Sequence, residues 1–234
     1  MEISISLNKY ISDTGICSRR EADKWIAAGR VRINGQPAQK GNRVLARDVV
    51  TLDGEVLSKK PDLVYIALNK PEGITCTTDL KDRDNIINFV NHPQRIFPIG
   101  RLDKGSSGLI LLTNDGDIVN SILRSENNHE KEYLVRVEKP ITMAFLQRMA
   151  TGVPILGVMT KRCVVSQQSR FVFKIILTQG LNRQIRRMCE YLGYRVSALK
   201  RVRIINIELA TLREGTWRNL SADELNSLKA CLKR

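Results

Sequence analysis

The stretch GRLDKGSSGLILLTNDGD, Gly100 to Asp117, sets one carboxylate, Asp103, between two cations, Arg101 and Lys104. A glycine- and serine-rich turn and a short apolar run follow. A carboxylate in this setting is either one end of a surface ion pair or a reactive group held ionised. A neighbouring arginine favours the charged form of an aspartate, and carboxylates act as nucleophiles in their own right. Other chemistries lack their residues. The two histidines, His92 and His129, lie far apart with no Cys or Glu pattern beside them, so neither a zinc site nor a Ser/His/Asp triad is expected. Neither a GxxxxGK(S/T) phosphate loop nor a GxGxxG dinucleotide fingerprint occurs. What remains is a site without metal or cofactor, built from carboxylate and arginine, with tyrosine a candidate third member.

The charge of the whole chain says what such a site would face. The 234 residues carry a formal charge of +14, and residues 161–203 hold eleven Lys or Arg against one acid, Glu190. So concentrated a cationic segment attracts polyanions. Its basic residues are interleaved with strand-like and helical apolar positions rather than confined to one amphipathic helix, which favours nucleic acid over a lipid surface. No apolar run approaches the ~20 residues that cross a bilayer, and MEISISLNKY lacks the layout of a secretory signal. Five cysteines, at 17, 76, 163, 189 and 231, form no CxxC pair, which reads as reduced thiols. A cytoplasmic protein with no membrane partner, expected as a monomer, fits these features.

The elements that must position the site fall into two parts. In the first, Leu7, Tyr10 and Ile11 have helical spacing up to Gly15. Ser18 and Glu21 have the spacing of a capping box for a second helix, whose apolar side is Ala22, Trp25 and Ile26. RVRING alternates as a strand and turns at Asn34-Gly35, and DVVTLDGEVL repeats the pattern around Asp53-Gly54. SKKPD, 58–62, reads as a linker. The second part opens with LVYIALNKPEGITCTT, a strand and a Pro/Gly turn, and DNIINFV is helical. GLILLT, bounded by Gly108 and Asn114-Asp115-Gly116, is a buried strand. DIVNSILR is helical, KEYLVRVE and RFVFKIILTQ are strands, NRQIRRMCEYLGY is a basic helix and RVRIINIEL a strand. SADELNSLKACLKR is a helix capped by Ser221 and Glu224. Strands and helices without a regular βαβ rhythm predict an α+β chain whose larger domain has a mixed, mainly antiparallel sheet flanked by helices.

Two resemblances sharpen this reading. LNKYISDTGICSRREADKWI followed by GRVRINGQ resembles the S4-type RNA-binding domain. The second part resembles the pseudouridine synthases, in the branch that holds the RsuA and RluF rRNA enzymes. YIALNKPEGITCT (65–77), FPIGRLDKGSSGLILLTNDGD (97–117), HEKEYLV (129–135) and TQGLNRQIRRM (178–188) carry it in the family's order, and their details look closest to the 23S-directed RluF type. The resemblance implies an S4-type domain over 1–58, a linker at 59–63 and a catalytic domain over 64–234. It implies Asp103 as catalytic aspartate, Tyr133 as active-site tyrosine and Arg186 as the arginine paired with the aspartate. Arg101 matches the family arginine that helps open the RNA helix and fill the vacated stack.

The chemistry implied, breaking C1′–N1 of uridine and re-forming it as C1′–C5, oxidises and hydrolyses nothing and calls for no cofactor. The target base must be flipped out of folded RNA, at a cost of a few kcal/mol. Phosphate contacts can supply that, and Lys104, Arg183 and Arg187, with Arg19, Arg20, Lys24, Arg30 and Arg32 of the first domain, are the candidates. The expected partner is 23S rRNA. A 16S rRNA or a tRNA anticodon stem is an alternative substrate, and a non-catalytic RNA-binding assembly factor is the alternative function.

Overall fold

The computed structural model describes residues 4–57, 61–123 and 128–232, so part of the expected linker, 58–60, lies outside the described residues. One compact unit runs to Leu63 and takes in His92–Ile96 and Asn114–Gly116. A second comprises Val64–Asn91, Phe97–Thr113 and the chain from Asp117 on.

The first unit contains β1 (Ile5–Ser6), α1 (Leu7–Asp13), α2 (Arg19–Ala27), β2 (Val31–Ile33), β3 (Gln36–Pro37), β4 (Arg43–Val44), β5 (Val50–Leu52) and β6 (Glu55–Val56). Its sheet runs β3-β2-β5-β6, with β1 paired to β4. Both hairpins turn on two residues with positive φ, Asn34-Gly35 at 50° and 80° and Asp53-Gly54 at 50° and 92°, the geometry whose twist suits a two-residue hairpin. The Ser18 hydroxyl accepts from the Glu21 amide at 3.1 Å. The Glu21 carboxylate turns instead to Lys24 at 3.2 Å, so the capping box is half made. Leu7, Ile11, Ala22, Ile26, Val31 and Val50 form the core under α1 and α2.

The second unit is built on β7 (Tyr65–Lys70), α3 (Ile86–Val90), β8 (Phe97–Ile99), β9 (Ser107–Thr113), α4 (Gly116–Leu123), β10 (Lys131–Val137), α5 (Met143–Thr151), β11 (Pro154–Ile155), β12 (Val158–Met159), β13 (Val164–Ser169), β14 (Val172–Leu177), α6 (Gln184–Tyr191), β15 (Val196–Ile204), β16 (Ile207–Glu208), β17 (Trp217–Asn219) and α7 (Ala222–Leu232). Its main sheet runs β13-β14-β10-β15-β9-β7-β17, with β8 on β9 and β16 on β15. Every pairing in it is antiparallel except β9 with β15, as the α+β reading expects. Strands β7 and β9 are buried along their whole length, which is why they read as continuous apolar runs. One core lies between β10, β14, α5 and α6, and another between β7, β9, α4 and α7.

Two details differ from the sequence pattern. RVRIINIEL is not one strand. It holds the end of β15, a turn in which Ile205 takes φ 55°, and β16 folded back onto Arg203 and Ile204. An apolar residue in the left-handed region leaves no signal in hydropathy. At Gly108, φ is +100°, and a Cβ there would stand 2.2 Å from the Arg201 carbonyl oxygen, so only glycine lets β9 lie against β15.

Candidate active site

Asp103 sits in the turn between β8 and β9, and this turn is pinned on both sides of it. The Leu102 amide donates to the Cys76 sulfur at 3.3 Å, and the Lys104 carbonyl accepts from the Gly73 amide at 2.8 Å. The Asp103 carbonyl accepts from the Ser106 amide at 3.0 Å. Beyond it, Arg186 of α6 donates through Nη2 to the Gly105 carbonyl at 2.6 Å and the Ser106 hydroxyl at 3.2 Å. Buried Leu102 anchors the loop, while the Asp103 side chain stays 35% exposed.

The cations around Asp103 are not the ones the linear sequence sets beside it. Arg101 is exposed, and Lys104 pairs with Asp84 at 2.9 Å. The cation facing the carboxylate is Arg183, Nη1 to Oδ2 at 3.7 Å. Arg186, expected as the partner of the aspartate, bonds instead to the loop that carries it. The correction has a backbone cause. Arg183 is the N-cap of α6 in a left-handed conformation, φ 49°. It therefore leaves the helix in a different direction from Arg186, one turn further on. Gln184 closes this entry by accepting from the Leu181 amide at 3.0 Å.

Asp103, Arg183 and Arg186 share a cleft of about 280 Å³ with Lys131, Tyr133 and Arg201, near the lower end of small-ligand sites. Tyr133 comes from β10, directly opposite Arg201 of β15, where a bulge shifts the register between Glu132 and Tyr133. Bulges commonly re-aim side chains beside sites. The Arg201 guanidinium lies 6.0 Å from the centroid of the Tyr133 ring. Lys131 stands two residues before Tyr133 on the same strand face. Burial first, then the charge of Arg201, holds its ammonium below the usual lysine range. Lys131 and Arg201 were not among the candidates from sequence. For Lys131 the signal was its i−2 spacing from Tyr133. For Arg201, one cation among eleven in a basic segment, there was none.

The other candidates divide by their partners. Arg19 and Arg20 are exposed on the first turn of α2, Arg19 reaching the Ser6 hydroxyl at 3.4 Å. Lys24 pairs with Glu21, and Arg32 donates to the Gly35 carbonyl at 3.0 Å. Arg30 grips both oxygens of Asp53 and stacks at 5.2 Å on Trp25, and this bond holds the Asp53 carboxyl below its ordinary range. Arg30 is therefore engaged within its own unit. Arg187 is turned back onto Asn182, bonding its carbonyl at 3.1 Å and its side chain at 3.2 Å.

Known proteins resemble this chain over both of its parts. Residues 64–191 match the family model described as RNA pseudouridylate synthase, and residues 6–50 match that of the S4 domain. Over 229 residues the chain is 59% identical to the dual-specificity RNA pseudouridine synthase RluF of Salmonella typhi, spanning 97% of this chain and 79% of that protein. It is 34% identical over 233 residues to ribosomal large subunit pseudouridine synthase B of Bacillus subtilis, spanning 96% and 95%. A crystal structure of a pseudouridylate synthase aligns with a TM-score of 0.71 at 30% identity, covering 96% of this chain and 99% of that one.

Proposed function

The chain belongs to the RNA pseudouridylate synthase family, with an S4 domain ahead of its synthase domain, and from that premise we propose that it isomerises uridine in 23S ribosomal RNA with Asp103 as the reacting carboxylate. The observation that carries this reading is the pinned loop: it holds Asp103, half-exposed, in the same cleft as Tyr133. A reacting group held in one geometry has already met much of the entropic cost of the encounter.

The flipped uridine enters the cleft with its sugar toward Asp103 and its base on Tyr133, whose hydroxyl serves the late proton transfers. Arg183 faces the carboxylate from the start of α6, and Arg186 keeps the loop in place. Arg101, exposed at the start of the loop, occupies the stack the base has left. Lys104, Arg183 and Arg187 contact phosphates near the cleft. Residues 1–58, through Arg19, Arg20, Lys24 and Arg32, serve as the RNA-docking arm of a monomeric cytoplasmic enzyme whose catalytic domain is 64–234. Arg30 contributes to that arm by fixing its hairpin. The dual specificity in the name of the RluF relatives supports a second RNA substrate, and a tRNA anticodon stem is the candidate.

The test is pseudouridine mapping by carbodiimide labelling and reverse transcription, on 23S, 16S and tRNA transcripts, with wild-type and Asp103→Asn protein. A new stop in 23S RNA that vanishes with the variant is expected. A stop confined to 16S RNA or tRNA overturns the substrate, and a stop that survives Asp103→Asn overturns the catalyst. Tight binding with no stop on any transcript favours an assembly factor.

A further inference from the structure

Arg201 is 3% exposed. Its Nε donates to the Leu109 carbonyl at 2.7 Å, its Nη2 is buried without a hydrogen-bond partner, and among the described residues no carboxylate stands within ion-pair distance of it. A buried cation without a counter-charge costs several kcal/mol in a folded protein. Its backbone lies against Gly108, where the aspartate loop enters β9, and its guanidinium lies against the ring of Tyr133. The titratable groups around it are Lys70 of β7, Cys76, Lys131 and Tyr133 of β10, and Asp103. Burial first, with the charge of Arg201 adding to it, disfavours the protonated form of both lysines.

We infer that Arg201 is a positioning residue of the isomerisation, a fixed buried cation that acts through Tyr133 to favour the negative charge arriving on the uracil base. The inference rests on the reading of Asp103 as the reacting carboxylate, and it holds for each route that reading allows. If Asp103 attacks the sugar carbon, the C1′–N1 bond breaks and its electron pair leaves with the base. If Asp103 adds to the base ring, the ring becomes an enolate. If Asp103 takes the 2′ proton, the base is again expelled with the C1′–N1 pair. In every case the carboxylate loses one negative charge and the base gains it. The carboxylate is restored as its bond to C1′ or C6 breaks or the 2′ proton returns, and the base as C1′–C5 replaces C1′–N1, the C5 proton leaves and a proton is placed on N1. Arg183, exposed beside Asp103, stands where the charge starts. Arg201, buried under Tyr133, stands where it arrives, in surroundings where a fixed charge acts strongly.

The experiment compares single-turnover rates and RNA affinity for wild type, Arg201→Met and Arg201→Lys. Arg201→Met should lose about a hundredfold in rate while its Kd stays within about threefold. Arg201→Lys keeps the charge at neutral pH and should recover most of the rate. A buried lysine loses its proton well below its ordinary pKa, whereas arginine does not. The ratio of Arg201→Lys to wild-type rate should therefore fall as pH rises from about 7 to about 9, and dividing by wild type cancels the titration of Lys70, Cys76 and Lys131 that the two proteins share. Unchanged turnover in Arg201→Met overturns the inference, as does an Arg201→Lys deficit that is flat in pH. Should Arg201→Met fail to fold, the Arg201→Lys profile decides alone. Turnover surviving in Asp103→Asn would instead overturn the parent reading, whatever Arg201 does.

Discussion

At the scale of the residue, the site depends less on which cations neighbour Asp103 than on what holds its backbone. The 3.7 Å contact with half-exposed Arg183 is worth at most about 1 kcal/mol. The Arg186 bonds to the exposed Gly105 carbonyl and the buried Ser106 hydroxyl fix the loop itself. Arg186→Ala should therefore slow turnover by about ten- to a hundredfold and leave RNA affinity within about threefold, read by single-turnover rates beside filter binding. An equal loss of both would make Arg186 a phosphate contact. Asp103 and Tyr133 were legible because motif and residue type coincide. The arginine facing Asp103 was not, because adjacency in sequence and in space part company where a helix begins in a left-handed residue.

At the scale of the element, α7 shows a complete local signal. Ser221 accepts from the Glu224 amide at 3.1 Å, and Glu224 accepts from the Ser221 amide at 2.9 Å, the reciprocal capping box its sequence predicts. Glu224 also accepts a fork from Arg218 of β17, both bonds at 2.7 Å, a contact no local pattern announces. Chiefly through Arg218, its carboxyl is pulled down from 4.5 to about 2. A lowered carboxyl pKa stabilises the fold above the ordinary value, and that contribution is lost as pH falls through the folded one. Glu224→Gln should thus cost about 1 kcal/mol at neutral pH. The gap to wild type should close as pH drops from 4.5 toward 2, in urea melts across that range. A pH-independent gap would show that the charge contributes nothing.

At the scale of the molecule, the +14 charge overstates what is available to RNA. In the basic segment Arg195 is held by Glu138, Arg203 by Glu130 and Glu132, Lys174 by Glu132, and Arg201 is buried. Composition counts cations, whereas the sheet brings acids of β10 and its approach across from those of β14 and β15. In the first unit Arg30 is likewise held by Asp53, while Arg19 and Arg20 stay exposed. The double variant Arg19→Ala, Arg20→Ala should weaken RNA binding and flatten the slope of log Kd against log salt by about 1.5. The single variant Arg30→Ala should leave the slope unchanged. An Arg30→Ala effect equal to that of the double variant would overturn this division of labour.

The two-part organisation, the α+β class, the helix caps at Ser18 and Ser221, both Asx-Gly hairpins and the loop that carries Asp103 can all be read along the chain. These are local properties, written in periodicities, caps and turn residues that act within a few positions of themselves. That Arg183 rather than Arg186 or Lys104 faces the aspartate, that RVRIINIEL folds back on itself, and that Arg201 lies against Tyr133 emerge only in the folded chain. Each of those depends on strands far apart in the chain meeting in one register, β9 against β15 and β15 against β10. Such a register is set by the packing of the whole sheet, and no single segment encodes it.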